Sequence, residues 1–229
     1  YYFYEVGYRL ATNNYSTAYN DSLGIEKLQK YASLFGLNER TGIEIEEAAP
    51  QIANEFPVMA AIGQSNNNYT TVQLARYVTA VANEGTVYQY TLLNRLEDSD
   101  GNVLQTFEPQ VRNQIDVLDT EEWNAIHSGM RMVVENTKEF DGFPIEAAGK
   151  TGTAQQNLKR PNHALFVGYA PYDDPEISIA TRIAYGYTSH NAAKLARNVF
   201  AYYFNVENED ELLNGQAANG NSSSNEISD

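Results

Sequence analysis

Cysteine is absent from the 229-residue sequence, which excludes disulfides, a thiolate nucleophile and any cysteine-based metal site. Basic residues are scarce: 15 Lys and Arg stand against 30 Asp and Glu, leaving a formal charge of −15. A field of that sign repels polyphosphate backbones and anionic bilayer surfaces alike, so nucleic acid is not an expected partner. No run of about eighteen apolar residues is present, so no membrane span is expected in this chain. Histidine occurs only at His127, His163 and His190, with no pair at ligand spacing, and neither a metal nor a cofactor is expected. The sequence begins at Tyr1, and residues 1–10 read as apolar helix without a signal or transit pattern, which suggests a processed or truncated product.

What is present points to one globular domain with a tail, since 42% hydrophobic residues supply a sizeable core. Ser22 is placed to cap a helix carrying Ile25, Leu28, Ala32 and Phe35, with Gly36 to end it in a left-handed conformation. Val72, Ala75, Val78 and Ala82 define a second helix behind Thr70 or Thr71. Asp119 and Glu122 form a capping-box pattern ahead of a third, which places Trp123, Ile126, Met130 and Val133 on one face. A strand is expected over 87–93, and the Asp100-Gly101 turn predicts a hairpin joining 92–96 to 103–107 and packing on the main body.

Three apolar stretches, 145–155, 163–169 and 177–185, are separated by breaks too short for crossover helices, so an antiparallel meander is expected. A helix over 191–204, with Ala192, Leu195, Val199 and Tyr203 inward, should lie against it. The expected fold class is therefore α+β, an antiparallel sheet flanked by helices, over residues 1–205. From Val206 to Asp229 the composition turns to Glu, Asp, Asn, Ser and Gly, and residues 206–229 are expected to form a disordered acidic tail.

The segment Gly149-Lys150-Thr151-Gly152-Thr153-Ala154-Gln155 is unusual, with a charge and two glycines inside an expected strand. Strand glycines commonly mark close approach of another backbone or a ligand. An ammonium, two hydroxyls and free amides suit a substrate bearing a carboxylate and a carbonyl that becomes an oxyanion. On Lys-Thr-Gly alone, an edge strand protected by a lysine is the stronger reading.

The surrounding blocks change that balance. Phe35-Gly36-Leu37, Thr41-Gly42-Ile43, Ala61-Ile62-Gly63-Gln64, Gln73-Leu74-Ala75 and Ala82-Asn83-Glu84-Gly85 precede Trp123, Gly129-Met130 and Val133-Val134. After them come Lys150 to Gln155 and His163-Ala164-Leu165-Phe166-Val167-Gly168-Tyr169-Ala170-Pro171. In this order the chain resembles the transpeptidase domain of class B penicillin-binding proteins, whose motif set is Ser-x-x-Lys, Ser-x-Asn and Lys-Thr-Gly. The resemblance implies that Lys150 assists proton movement and carboxylate attraction, that Thr151, Gly152 and Thr153 line the substrate, and that the Thr153 backbone N–H is an oxyanion donor.

It also implies partners: peptidoglycan stem peptides ending in D-Ala-D-Ala, β-lactams, and the N-terminal part of the domain. The parent enzyme is expected outside the cytoplasmic membrane behind an N-terminal anchor. No serine has a lysine three residues on, and Ser128 with Arg131 comes nearest, so the nucleophile is missing. Ser-x-Asn occurs at Ser65, Ser189 and Ser223 without the family setting. Gln64-Ser65 departs from the usual Gln-Gly. Tyr1-Tyr2-Phe3-Tyr4 resembles the helix that follows Ser-x-Asn, as though the chain starts just after that motif.

Two other readings stand beside this one: a non-catalytic truncated product, and a cell-surface glycan-binding module supported by the 17 tyrosines. His163 is expected to be structural, and Glu46-Glu47 and Asp173-Asp174 to be solvated turn charges.

Overall fold

Local sequence decides where most of the elements begin. In the computed structural model, which describes residues 1–156, 158–208 and 212, the chain divides into two units, Tyr1–His127 and Ser128–Asp229. The first unit opens with helices α1 (Tyr2–Ala11), α2 (Asp21–Leu34) and the short α3 (Pro57–Ala60). Two glycines let them meet. A Cβ on Gly7 would stand 2.7 Å from Val58 Cα, and one on Gly24 would stand 2.7 Å from Pro57 Cβ. The cap of α2 is Asn20, whose side chain accepts from the Leu23 amide at 3.3 Å. Ser22, the expected cap, lies inside the first turn, because the extended backbone at Asn20 already supplies cap geometry.

Helix α4 (Thr71–Ala82) begins at Thr70 with a complete capping box: the Gln73 amide donates to Thr70 Oγ1, and the Thr70 amide donates to Gln73 Oε1. Glu47 locks this corner, accepting from the Thr41 amide at 2.8 Å, the Thr41 hydroxyl at 2.9 Å and the Thr70 hydroxyl at 3.1 Å. It is buried, contrary to the solvated role expected for the Glu46-Glu47 pair, since its oxygens replace water as acceptors for these donors. Arg76 is buried as well, and its guanidinium donates to the carbonyls of Gly36, Glu39 and Arg40.

Strand β1 (Thr86–Gln89) pairs antiparallel with β4 (Gln110–Gln114). It is shorter than the 87–93 expected, because the next amides turn elsewhere: Tyr90 donates to the Thr41 carbonyl and Leu92 to the Glu44 carboxylate. The Asp-Gly hairpin forms from β2 (Arg95–Glu97) and β3 (Val103–Thr106), with Asp98 Oδ1 accepting from the amides of Asp100 and Asn102. Every residue of both strands is exposed, so the hairpin does not pack on the body as expected. Its turn chemistry suffices to form it without a buried face. Ala80, Val87, Ile115 and Trp123 form a core in this unit.

Helix α5 (Thr120–Glu135) starts with the Asp119/Glu122 capping box and passes into the second unit. There the sheet runs β5 (Ala148–Ala154), β6 (His163–Ala170), β7 (Ile177–Ile183) in that order, each pair antiparallel, as the short breaks required. Helix α6 (Ser189–Tyr203) follows. Its buried face carries Ala192, Ala193, Ala196, Phe200 and Ala201, while Leu195, Val199 and Tyr203 are exposed. The expected face was displaced around the helix because small alanines, not the larger apolar residues, sit where the helix meets the sheet.

The core of this unit centres on Phe166. Its ring stacks on Phe140 with centroids 5.7 Å apart and packs with Ala164, Ala170, Ala193 and Phe200. Gly149 and Gly168 are direct partners in the β5/β6 ladder. A Cβ on Gly149 would lie 2.3 Å from the Phe166 ring, and one on Gly168 would lie 2.7 Å from it. Thus Gly149 makes room for a core ring instead of a ligand. Of the expected tail, Val206 donates to the Ala201 carbonyl and Glu207 pairs with Arg197, while 209–211 and 213–229 lie outside the described residues. Among the described residues no helix is long and apolar enough to cross a membrane.

Gly149→Ala should destabilise the protein by about 1–3 kcal/mol through overpacking against Phe166. Gly152→Ala, whose Cβ would meet only Leu165 Cβ at 3.4 Å, should change stability far less. Urea denaturation of the two variants checks this, and equal losses would contradict the packing account.

Candidate functional site

Residues Lys150, Thr151, Gly152 and Thr153 occupy the middle of β5 and face Val167, Phe166, Leu165 and Ala164 across the ladder. Because directly opposed residues share a face, Thr151 and Thr153 lie on the Phe166 side of the sheet. Lys150 and Gly152 lie on the other side with Val167 and Leu165. Strand β5 stands at an end of the three-stranded order, so one of its backbone edges is unpaired within the sheet. Lys150 is exposed and donates from Nζ to the Thr151 carbonyl at 2.8 Å, whereas Thr151, Gly152 and Thr153 are half-buried.

The glycine at 152 is not demanded by packing. Its absent side chain leaves ordinary van der Waals room on the lysine side of the strand, unlike Gly149. One short strand therefore offers an ammonium, two hydroxyls, uncrowded backbone and an unpaired edge. Those groups match a substrate that presents a carboxylate and a polarisable carbonyl.

The other sequence candidates have structural partners. Ser65 donates to the Glu55 carbonyl at 2.7 Å, and Asn66 and Asn67 accept from the amides of Asn54 and Ala53, so Ser65-Asn66-Asn67 pins a loop. Ser189 is buried at the start of α6, and Ser128 is exposed on α5. Ser223 lies outside the described residues. His127 bonds through Nε2 to the Val81 carbonyl at 2.8 Å, and His190 pairs with Glu139 at 2.8 Å. Among the described residues no group of three or more His, Asp or Glu is arranged to hold a metal ion.

His163 is buried, with partners at both ring nitrogens. It touches Gln156, Arg182 and Tyr185, none of which the sequence singled out. No spacing signal could have found them, because they come from the segments that follow β5, lie on β7 and follow β7.

The family description "Penicillin binding protein transpeptidase domain" matches residues 8–201, which is most of the chain. Among curated proteins, the peptidoglycan D,D-transpeptidase MrdA of Haemophilus influenzae is 33% identical over 227 residues, covering 83% of this chain and 34% of that protein. Penicillin-binding protein 2A of Bacillus subtilis is 26% identical, covering 87% of this chain and 31% of its own length. Among solved structures, penicillin-binding protein 2B of Streptococcus pneumoniae superposes with a TM-score of 0.75 at 23% identity, covering 89% of this chain and 38% of that one. An imipenem acyl-enzyme complex of penicillin-binding protein A from M. tuberculosis gives a TM-score of 0.73 at 21% identity, with coverages of 88% and 44%. The chain spans about a third of the length of these curated relatives.

Lys150→Ala should leave fold stability within about 0.5 kcal/mol, since an exposed side chain with one described bond supports little packing. A melting curve tests this. A large loss would make Lys150 a structural residue.

Proposed function

The chain belongs to the penicillin-binding protein transpeptidase family, and we propose that it contributes the Lys-Thr-Gly-Thr strand to an acyl-transfer site whose serine lies in residues this sequence does not contain. The supporting observation is the placement of an exposed Lys150, two threonines and the uncrowded Gly152 on a strand with an unpaired edge. We read residues 1–205 as one portion of a transpeptidase domain.

In the reaction, the serine hydroxyl attacks the carbonyl between the two D-alanines of a stem peptide. The C–N bond breaks, D-alanine leaves with a proton on its amine, and an acyl-serine remains. The amine of a second stem peptide then attacks the ester, forms the cross-link and returns the proton to the serine. A β-lactam acylates the same serine by opening its ring, and no small leaving group departs.

Each strand residue has a role in this scheme. The Lys150 ammonium draws the substrate carboxylate and eases proton transfer at the serine. The Thr151 and Thr153 hydroxyls hold the carboxylate, and Gly152 lets the peptide backbone come close. The Thr153 amide stabilises the oxyanion. In an antiparallel strand, residues 151 and 153 turn their amides and carbonyls in one direction. The bond from Lys150 Nζ to the Thr151 carbonyl supports that direction being the unpaired edge. The parent enzyme works outside the cytoplasmic membrane, held there by an N-terminal anchor. The isolated chain, without Ser-x-x-Lys, performs no acyl transfer, which makes it a non-catalytic piece when alone.

Incubation with a fluorescent penicillin tests this. The chain alone should remain unlabelled, while a longer protein carrying Ser-x-x-Lys should be labelled at its serine. In that longer protein Lys150→Ala should slow labelling on the order of 100-fold or more. Covalent label on the isolated chain would overturn the claim that it lacks a nucleophile, and an unchanged rate would remove Lys150 from the mechanism.

A further inference from the structure

His163, the first residue of β6, has a ring whose protonation state the geometry determines. Nδ1 lies 3.1 Å from the Tyr185 backbone nitrogen and 3.4 Å from the Arg182 guanidinium. An amide N–H and a guanidinium can only donate, so Nδ1 must accept, and the single proton of the neutral ring must sit on Nε2. Nε2 is 2.9 Å from Gln156 Oε1, an acceptor that matches this tautomer. The Tyr185 ring lies against the imidazole with centroids 5.0 Å apart, and Arg160 lies over Tyr185 while bonding its hydroxyl at 2.6 Å. A second tie runs from the Tyr187 amide to the Asn162 carbonyl at 3.1 Å.

One imidazole thus joins three segments: the chain just after β5, the start of β6, and the turn after β7. Tyr185 sits at a φ of 55°, a left-handed conformation uncommon for a residue with a bulky side chain, so this turn is held by its contacts. Gln156 lies two residues beyond Ala154, the last of β5.

We propose that His163, as its neutral Nε2–H tautomer, is a positioning residue for the Lys150–Thr153 strand, fixing through Gln156 where β5 leaves the sheet, and that proton uptake on Nδ1 releases this clamp. The functional consequence rests on the reading of β5 given above; the clamp itself does not. A proton on Nδ1 would point at the Tyr185 N–H and the Arg182 guanidinium, removing both bonds to Nδ1 and setting an imidazolium against the Arg182 charge. The charged groups around the ring are Arg182 on β7 and, beyond the Tyr185 ring, Arg160 in the β5–β6 connection. Among the described residues no carboxylate forms an ion pair with it. Burial first, and Arg182 second, hold the His163 pKa below the ordinary histidine value.

The sign follows from that depression. The unfolded chain takes up the proton first as pH falls through the ordinary value, near 6.5. Stability from the neutral ring is therefore complete above that pH and is lost as pH falls through the lower native value.

Ring nitrogen NMR on the chain as it stands, with amide hydrogen exchange from about pH 8 down to about pH 5, tests the clamp. The expected result is an Nε2–H ring whose protonation coincides with at least a tenfold loss of amide protection, corrected for the intrinsic pH dependence of exchange, at Ala154, the last β5 residue paired with β6. His163→Asn keeps an acceptor for the Tyr185 amide and loses the donor to Gln156. It should lower protection at Ala154 at every pH, abolish the pH step there and leave the Tyr185 amide protected. Gln156→Ala, at an exposed position that leaves the fold intact, should lower protection at Ala154 while His163 still titrates. An Nδ1–H tautomer, or unchanged protection of Ala154 in Gln156→Ala, would overturn the clamp. Failure of the serine acyl-transfer reading would show separately, as absence of penicillin label on the serine of the longer protein that carries Ser-x-x-Lys.

Discussion

The second unit depends on one packing fact: a phenylalanine ring occupies the room that two opposed glycines leave empty. Phe166 lies over the Gly149 and Gly168 pair and stacks on Phe140, with the alanine face of α6 closing round it. A ring in that position sets which side of the sheet is buried. It therefore sets which side of β5 carries Lys150. Slipping the β5/β6 register by one residue would put Lys150 opposite Phe166 and turn an ammonium toward a dry core, at a cost the fold could not bear. Lys150 and the packing ring therefore lie on opposite faces of one strand, with Thr151 and Thr153 on the ring's side.

The first unit solves a different problem, the burial of polar groups. Glu47 and Arg76 are both removed from water, and each is matched with fixed donors or acceptors: Glu47 with Thr41 and Thr70, Arg76 with three carbonyls around the end of α2. Such arrangements specify loop conformation, because every alternative path leaves a buried charge without its partners. The chain is strongly acidic, yet the one buried carboxylate described here is structural.

Much of the architecture was legible where a local rule has a local cause. The capping boxes at Thr70 and Asp119, the Asp100-Gly101 turn and the three strands with short breaks all appear, because each depends on neighbours within a few residues. The face of α6 and the burial of Glu47 were misjudged for the opposite reason. Alanines satisfy several helical stripes equally, and only the sheet beneath α6 selects one. A glutamate looks solvated until distant donors converge on it. For the candidate site, the motif order placed Lys150 to Thr153 in a strand. The surroundings of His163 had no trace in spacing, since Gln156, Arg182 and Tyr185 come from three separate segments.

The amino-acid order by itself determined the family, the α+β class and the Lys-Thr-Gly-Thr segment, because motif order and short-range turn and cap chemistry survive without any fold. Tertiary structure decided which of two glycines serves packing, which side of β5 the ammonium occupies and which groups face each nitrogen of His163. These depend on atoms far apart in the chain, and only the folded arrangement brings them within contact distance.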